Sequence, residues 1–293
     1  MATGHRTGPR CPLTCATSRR SLPLRGPGAA ENGRVLILLP PSETKTRPAA
    51  GDAAALDVDG LGLPQLAESR RTMLRAARRT AAGKDAAARL GVPASSPELI
   101  ERMARIESEP TAGALAVYSG VLYDQLSPAH SPAADRRVLV QSALFGLVDA
   151  GSDRIPAYRL SAGSTLSRLG KAGSWWSPRL KPVAAQLRRE QAAEGAGVVV
   201  DCRSGSYRSM MAMRSGEGVQ VLEVSPVQER GGVRTVISHE AKRYRGLVTR
   251  ALLEAERTPI SADEVVDVVR TAFGSGLRVE LDADRLVVVD RVA

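Results

Sequence analysis

The apolar residues of this chain fall into short blocks whose spacing changes along its length. Val35–Leu39 are five consecutive aliphatic residues, which read as a strand buried on both faces, and Pro40-Pro41 end it because neither can continue a ladder. Residues 66–82 carry Leu66, Met73, Leu74 and Ala77 at helical spacing, with Arg71, Arg75, Arg78 and Arg79 along the opposite face. That arginine stripe serves either as a solvated face or as a phosphate-facing one. Ser96-Pro97-Glu98 opens a further helix with a capping hydroxyl, a proline at the first turn and an early acid. Residues 114–118, 138–144 and 197–200 predict short strands. Residues 219–224 and 233–238 alternate and predict a hairpin across Gly231-Gly232. A helix follows over 241–255, and Ser261-x-x-Glu264 is a capping box that starts a valine-rich helix. Two strands, 277–281 and 286–289, close the chain.

This irregular alternation, without a repeat period, predicts an α/β (mixed α+β) fold in a single compact domain over residues 34–293. Residues 1–33 mix Gly, Pro, Arg and Ser without apolar periodicity and read as a disordered basic tail. Arg19-Arg20 lacks the apolar stretch that a twin-arginine signal requires. No run approaches the length of a membrane helix.

Charge shifts the emphasis towards polyanions. The 293 residues hold 41 Lys+Arg against 31 Asp+Glu, a net charge of +10, and only five of the bases are lysines. Such a balance favours acidic partners without identifying one. Three cysteines and three histidines, scattered along the chain, provide neither a disulfide framework nor a zinc site, so no cofactor is expected. The cysteine usage suits a reducing cytoplasm.

Eight of the nine aromatic residues lie between Tyr118 and Tyr244, several beside an arginine: Tyr158-Arg159, Tyr207-Arg208 and Arg243-Tyr244-Arg245. Each one alone suits a core, whereas together they offer stacking faces next to phosphate partners. The densest cationic segment is Ala241-Lys-Arg-Tyr-Arg-Gly-Leu-Val-Thr-Arg250. On a helix it places Lys242, Arg245 and Thr249 on one face and Arg243 and Arg250 on another. Gly246 inside that helix calls for a close approach by another chain segment or by a ligand. Leu90-Gly91-Val92 between two helical segments matches the core of a helix-hairpin-helix, and equally a helix closed by an ordinary glycine. Cys202-x-x-Gly205-x-x-Arg208-Ser209 imitates the phosphate loop of cysteine phosphatases, but Asp201 would raise the thiol pKa, the wrong direction for a nucleophile. The spacing around Gly163 and Gly170-Lys171 fails the Walker pattern.

Seven segments in order resemble the peroxide stress protein YaaA family. They are Leu36-Ile-Leu-Leu-Pro-Pro-Ser-Glu-Thr-Lys45, Val117-Tyr-Ser-Gly-Val-Leu-Tyr123, Ser142-Ala-Leu-Phe-Gly-Leu147, Ile155-Pro-Ala-Tyr-Arg-Leu160, Trp176, Val198-Val-Val-Asp-Cys-Arg-Ser-Gly-Ser-Tyr207 and Ile237-Ser-His-Glu-Ala-Lys-Arg-Tyr-Arg-Gly246. The resemblance implies a cytosolic bacterial protein that limits hydrogen peroxide damage by lowering available iron. It also implies one α/β domain with a positively charged cleft, and binding of double-stranded or structured DNA through a helix-hairpin-helix-like element. Lys45, Tyr158, Arg159, Ser204, Tyr207, Lys242, Arg245 and Gly246 fall on its motif positions. The first motif reads Pro-Ser-Glu-Thr-Lys where the family has a shorter Pro-Ala-Lys form, and Cys202 replaces an apolar residue.

The expected function is therefore that of a non-enzymatic DNA-binding stress protein. Lys242, Arg243, Arg245 and Arg250 are expected on phosphates, Tyr158 and Tyr207 as stacking platforms, and Lys45, Arg159 and Ser204 within the same interface. The alternative is an enzyme acting on a phosphorylated or nucleotide ligand through Lys45, Arg159, Ser204 and Arg208, with Cys202 if thiol chemistry is involved. Direct iron sequestration through carboxylates is a third reading, disfavoured by the few His and Cys.

Overall fold

The computed structural model describes residue 1 and residues 35–49, 54–126, 132, 135–193, 197–203, 205–237 and 240–292. The chain divides into two units, 1–31 and 32–293, and the second holds every element below. The tail expected over 1–33 lies outside the described residues.

The elements follow in chain order. The first part comprises β1 (Val35–Leu39), α1 (Ala67–Ala81), α2 (Ala86–Leu90), α3 (Glu98–Ala104), β2 (Thr111–Gly113) and α4 (Ala114–Val117). Next come β3 (Arg136–Ser142), β4 (Gly146–Asp149), β5 (Arg154–Pro156), β6 (Thr165–Leu166), β7 (Gly170–Lys171), α5 (Ala172–Ala193), β8 (Val198–Asp201) and α6 (Gly205–Met210). The chain closes with β9 (Gln220–Arg230), β10 (Val233–Val236), α7 (Ala241–Glu254), α8 (Ala262–Phe273), β11 (Arg278–Asp282) and β12 (Arg285–Arg291).

Eight strands form one mixed sheet in the order β11-β12-β9-β8-β1-β3-β4, with β10 also on β9. At its centre β1 runs parallel to both β3 and β8, pairing Leu38 with Leu139 on one side and with Asp201 on the other. All five β1 residues are fully buried, as a continuous aliphatic run requires. The long β9 continues the parallel sheet to β8 and β12, and its far half turns back into β10 through Gly231 and Gly232, both at positive φ. The fold is thus mixed α/β, and the chain does turn back at Gly231-Gly232, but β10 pairs with residues 227–230, whereas 220–223, expected as its partner, pair with β8.

Several local expectations change. The strand expected at 114–118 is a helical turn, α4, and the extended residues lie just before it in β2. The strand expected at 138–144 is shifted, because β3 stops at Ser142, whose Oγ accepts the N–H groups of Leu144 and Phe145 and turns the chain into β4. Ser96 does not cap α3 with its hydroxyl; Pro97 occupies the cap position and the Ser96 carbonyl accepts from Leu99. By contrast, Ser261 Oγ accepts from Glu264 N at 3.3 Å, as a capping box demands.

The α1 arginine stripe is a solvated face on which three of the four arginines are paired. Arg71 reaches Asp59 and Glu68, Arg75 reaches Glu68, and Arg78 reaches Glu107. Arg70, which shares the face of Leu66, Met73 and Leu74, is fully buried instead. Its guanidinium donates to the carbonyls of Leu61, Phe145 and Leu147. Gly91 ends α2 in the left-handed region, and its N–H is spent on Ala87 O. Gly246 answers to another chain segment: a Cβ there would overlap Leu122 O and come within 2.8 Å of Gln125 Cγ.

Candidate functional site

The parallel strands β1 and β8 end side by side, and residues following both line one cavity. In open α/β sheets this crevice is where ligands bind, because neighbouring loops splay and leave backbone groups free. A cavity of about 580 Å³ opens there. Residues 40–44 after β1, 205–207 after β8, 119–123 and 159–163 line it, together with Lys242 and Arg245 from the first turns of α7. Gly246 lets α7 sit against Leu122 and so brings these two cations to the opening.

Arg159, Lys242 and Arg245 face the cavity against a single lining carboxylate, Glu43, among the described residues. Arg159 is held in place by carbonyls, with Nε donating to Gly91 O at 2.9 Å and Nη1 to Glu43 O at 3.2 Å. Lys242 is exposed and, among the described residues, has no hydrogen-bond or ion-pair partner. Arg245 is more unusual. Its Nε is buried without a partner, and none of its guanidinium nitrogens is hydrogen-bonded within the described residues. Arg136, Arg188, Arg208 and Arg278 also bury an Nε without a hydrogen bond, but each places another nitrogen on a carbonyl or carboxylate, and the Nε of Arg208 and of Arg278 also lies within ion-pair distance of a carboxylate. Desolvation holds the Arg245 pKa below the usual arginine value, with Cys202, Asp201 and Glu223 opposing that shift and Arg208 adding to it.

Lys45 stands just behind this surface. Its Nζ donates to Ser42 O at 2.7 Å and lies 4.1 Å from the centroid of the Tyr158 ring. Burial pulls the ammonium down to about 7; the neighbouring Arg159 lowers it further and Glu43 opposes both. Tyr158 is itself buried, its hydroxyl 2.8 Å from Ser142 Oγ and 3.0 Å from Tyr118 OH. The expectation of Tyr158 as a stacking platform is therefore corrected: its ring packs edge-on against Phe145 and supports Lys45, and no face is left for a base. Tyr118 and Tyr123 stack at 5.2 Å, and Tyr123 OH donates to Pro40 O, so the aromatic cluster forms the floor beneath the β1 loop. Tyr207 differs. It is half-buried, lines the cavity, and its hydroxyl accepts from Ala162 N at 3.3 Å.

Arg243 and Arg250 do not join this group. They occupy other faces of α7, Arg243 at 3.8 Å from Glu240 and Arg250 at 3.0 Å from Glu254, so their expected place on the same phosphates is corrected. Ser204 lies outside the described residues.

The phosphatase-like loop is a structural device. Arg203 and Asp201 are buried and form a two-pronged ion pair, Nε–Oδ1 2.9 Å and Nη2–Oδ2 2.8 Å, with Gln141 Oε1 accepting from Nη1. Cys202 is fully buried, and desolvation pushes its thiol up to about 12, so it is neither reachable nor ionised. A second cavity, about 700 Å³, meets Asp201, Glu223, Asp282 and Asp284 alongside Arg208, Arg214 and Arg285. There Arg208 is already bridged to Glu223 at 2.5 Å, and charges of both signs nearly balance. Among the described residues no group of three or more His, Cys, Asp or Glu is placed to hold a metal ion.

Sequence reasoning missed Arg70, Arg203 and the apolar lining from Val121 to Tyr123. Arg70 carried a signal in its spacing, four residues after Leu66 and three before Met73. The lining residues carried none, because their approach to α7 is a long-range contact.

A family model described as peroxide stress protein YaaA matches residues 35–273. The UPF0246 protein of Corynebacterium efficiens is 37% identical over 257 residues, covering 86% of this chain and 97% of that protein. One from Corynebacterium glutamicum is 36% identical over 248 residues, covering 84% and 95%. One from Streptomyces coelicolor is 34% identical over 263 residues, covering 85% and 93%.

Proposed function

We propose, for a chain that belongs to the peroxide stress protein YaaA family, that it is a non-enzymatic DNA-binding protein which protects against hydrogen peroxide by limiting free intracellular iron. The observation that carries the DNA half is the convergence of Arg159, Lys242 and Arg245 on one cavity, with Arg245 unpaired. Arg245, whose buried Nε has no hydrogen bond, shares the cavity with two further cations, and a phosphate relieves their repulsion and supplies the missing acceptor. Iron limitation follows from the family resemblance and is the downstream effect in this reading.

The test is the affinity of purified protein for duplex and junction DNA, read by fluorescence anisotropy at fixed salt. Lys242→Ala/Arg245→Ala should weaken binding at least tenfold while keeping the wild-type melting curve. Lys181→Ala/Arg189→Ala removes two exposed cations of α5 far from the β1 loop in sequence and should bind as wild type does. Equal weakening by both pairs would mean that net charge alone drives binding.

A second reading, an enzyme acting on a phosphorylated or nucleotide ligand, is favoured by Lys45, because an amine with a pKa near 7 accepts a proton at neutral pH. Turnover of a nucleotide, lost in Lys45→Met, would establish it.

A further inference from the structure

The cavity has a size as well as a charge, and the size restricts what form of DNA enters it. A volume of about 580 Å³ is that of a small-ligand pocket, far below what a stretch of paired duplex fills, whose major groove alone is ~12 Å wide. A paired duplex therefore rests across the opening and does not enter. A single nucleotide is within the range of ligands that pockets of this volume enclose.

The lining is divided as such a unit would need. Arg159, Lys242 and Arg245 provide donors for a phosphate, and Arg245 brings a guanidinium with every nitrogen unclaimed by the described residues. Pro40, Pro41, Leu122 and Leu160 provide apolar surface. Tyr207 provides a half-buried ring that lines the cavity, without an aromatic partner among the described residues and pinned at its hydroxyl by Ala162 N. A ring held at one end in the cavity wall is suited to a base, and every base has a π-face to offer it.

We infer that the cavity receives one unpaired nucleotide of a DNA strand, its phosphate on Arg159, Lys242 and Arg245 and its base against Tyr207. The inference rests on the DNA-binding reading above and goes beyond it: the protein prefers DNA in which a base is already unpaired, because extrusion from an intact duplex costs unstacking and unpairing energy.

The test compares a fully paired duplex with the same duplex carrying one bulged 2-aminopurine. Wild-type protein should bind the bulged duplex about tenfold more tightly, the scale of one base–aromatic stack, and quench the fluorescence of the bulged base. Tyr207→Leu, checked for folding, should lose most of that preference. Equal affinity for the two duplexes with unchanged 2-aminopurine fluorescence would overturn the single-nucleotide inference and leave the DNA-binding reading standing. Failure of both duplexes to bind at low salt would overturn the two together.

Discussion

At the scale of single residues, Lys45 is the most informative side chain. Its ammonium titrates near 7 because it is buried over Tyr158 and beside Arg159, against an ordinary lysine value of 10.5. Two pH effects of opposite sign follow. Between about 7 and 10.5 the unfolded chain holds a proton that the folded chain has released, so the Lys45 contribution to stability rises with pH. An anion in the cavity favours the charged amine, so DNA affinity at fixed salt should fall as pH rises above about 7. Titrating both quantities in wild type and in Lys45→Met checks this: the variant should flatten each curve, and unchanged curves would remove Lys45 from the account. The Asp201–Arg203 pair makes a separate prediction. Arg203→Met leaves the buried Asp201 carboxylate with only Arg208 at 3.8 Å in place of its two-pronged partner and should cost about 3 kcal/mol in chemical denaturation. The sequence hid this role, since Cys202, Gly205 and Arg208 together imitate a phosphate loop while the burial of Asp201 and Arg203 depends on strands far away along the chain.

At the scale of elements, legibility followed the range of the interaction. The buried run of β1, the Ser261 capping box and the Gly231-Gly232 turn are set by residues within a few positions of one another, and each reads directly from the chain. The 114–118 segment misled because α4 is a single helical turn of four residues, too short for periodicity to distinguish it from a strand. Pro178 and Pro182 lie inside α5, a helix that local propensity argues against and tertiary packing of Trp176, Leu180 and Val183 sustains. The approach of α7 to residues 122–125 makes Gly246 a sharp probe. Gly246→Ala gains helix propensity but meets Leu122 O and Gln125, so thermal denaturation should show a net loss of about 1–3 kcal/mol. Because α7 carries Lys242 and Arg245, DNA affinity should fall in the same variant even well below its melting temperature. Ser261→Ala tests a remote element: loss of the cap should cost about 1 kcal/mol and leave affinity unchanged.

For the whole molecule, the parallel pairing of β1 with β3 and β8 decides where the site lies, and no local pattern encodes it. The sequence named Lys45, Arg159, Tyr207, Lys242 and Arg245 as candidates; their convergence follows from strand order. The surplus of positive charge is spread over many faces, and much of it is spent on ion pairs such as Arg234 with Glu229 and Glu280. Net charge therefore ranks below the three cavity cations as the source of affinity. The most direct measurement is the slope of log affinity against log salt on duplex DNA, for wild type and for Arg159→Ala/Lys242→Ala/Arg245→Ala. Each phosphate neutralised contributes about −0.9, so the triple variant should have a slope shallower by about 2 to 3. Identical slopes would show that these three residues touch no phosphate, and the account would fail.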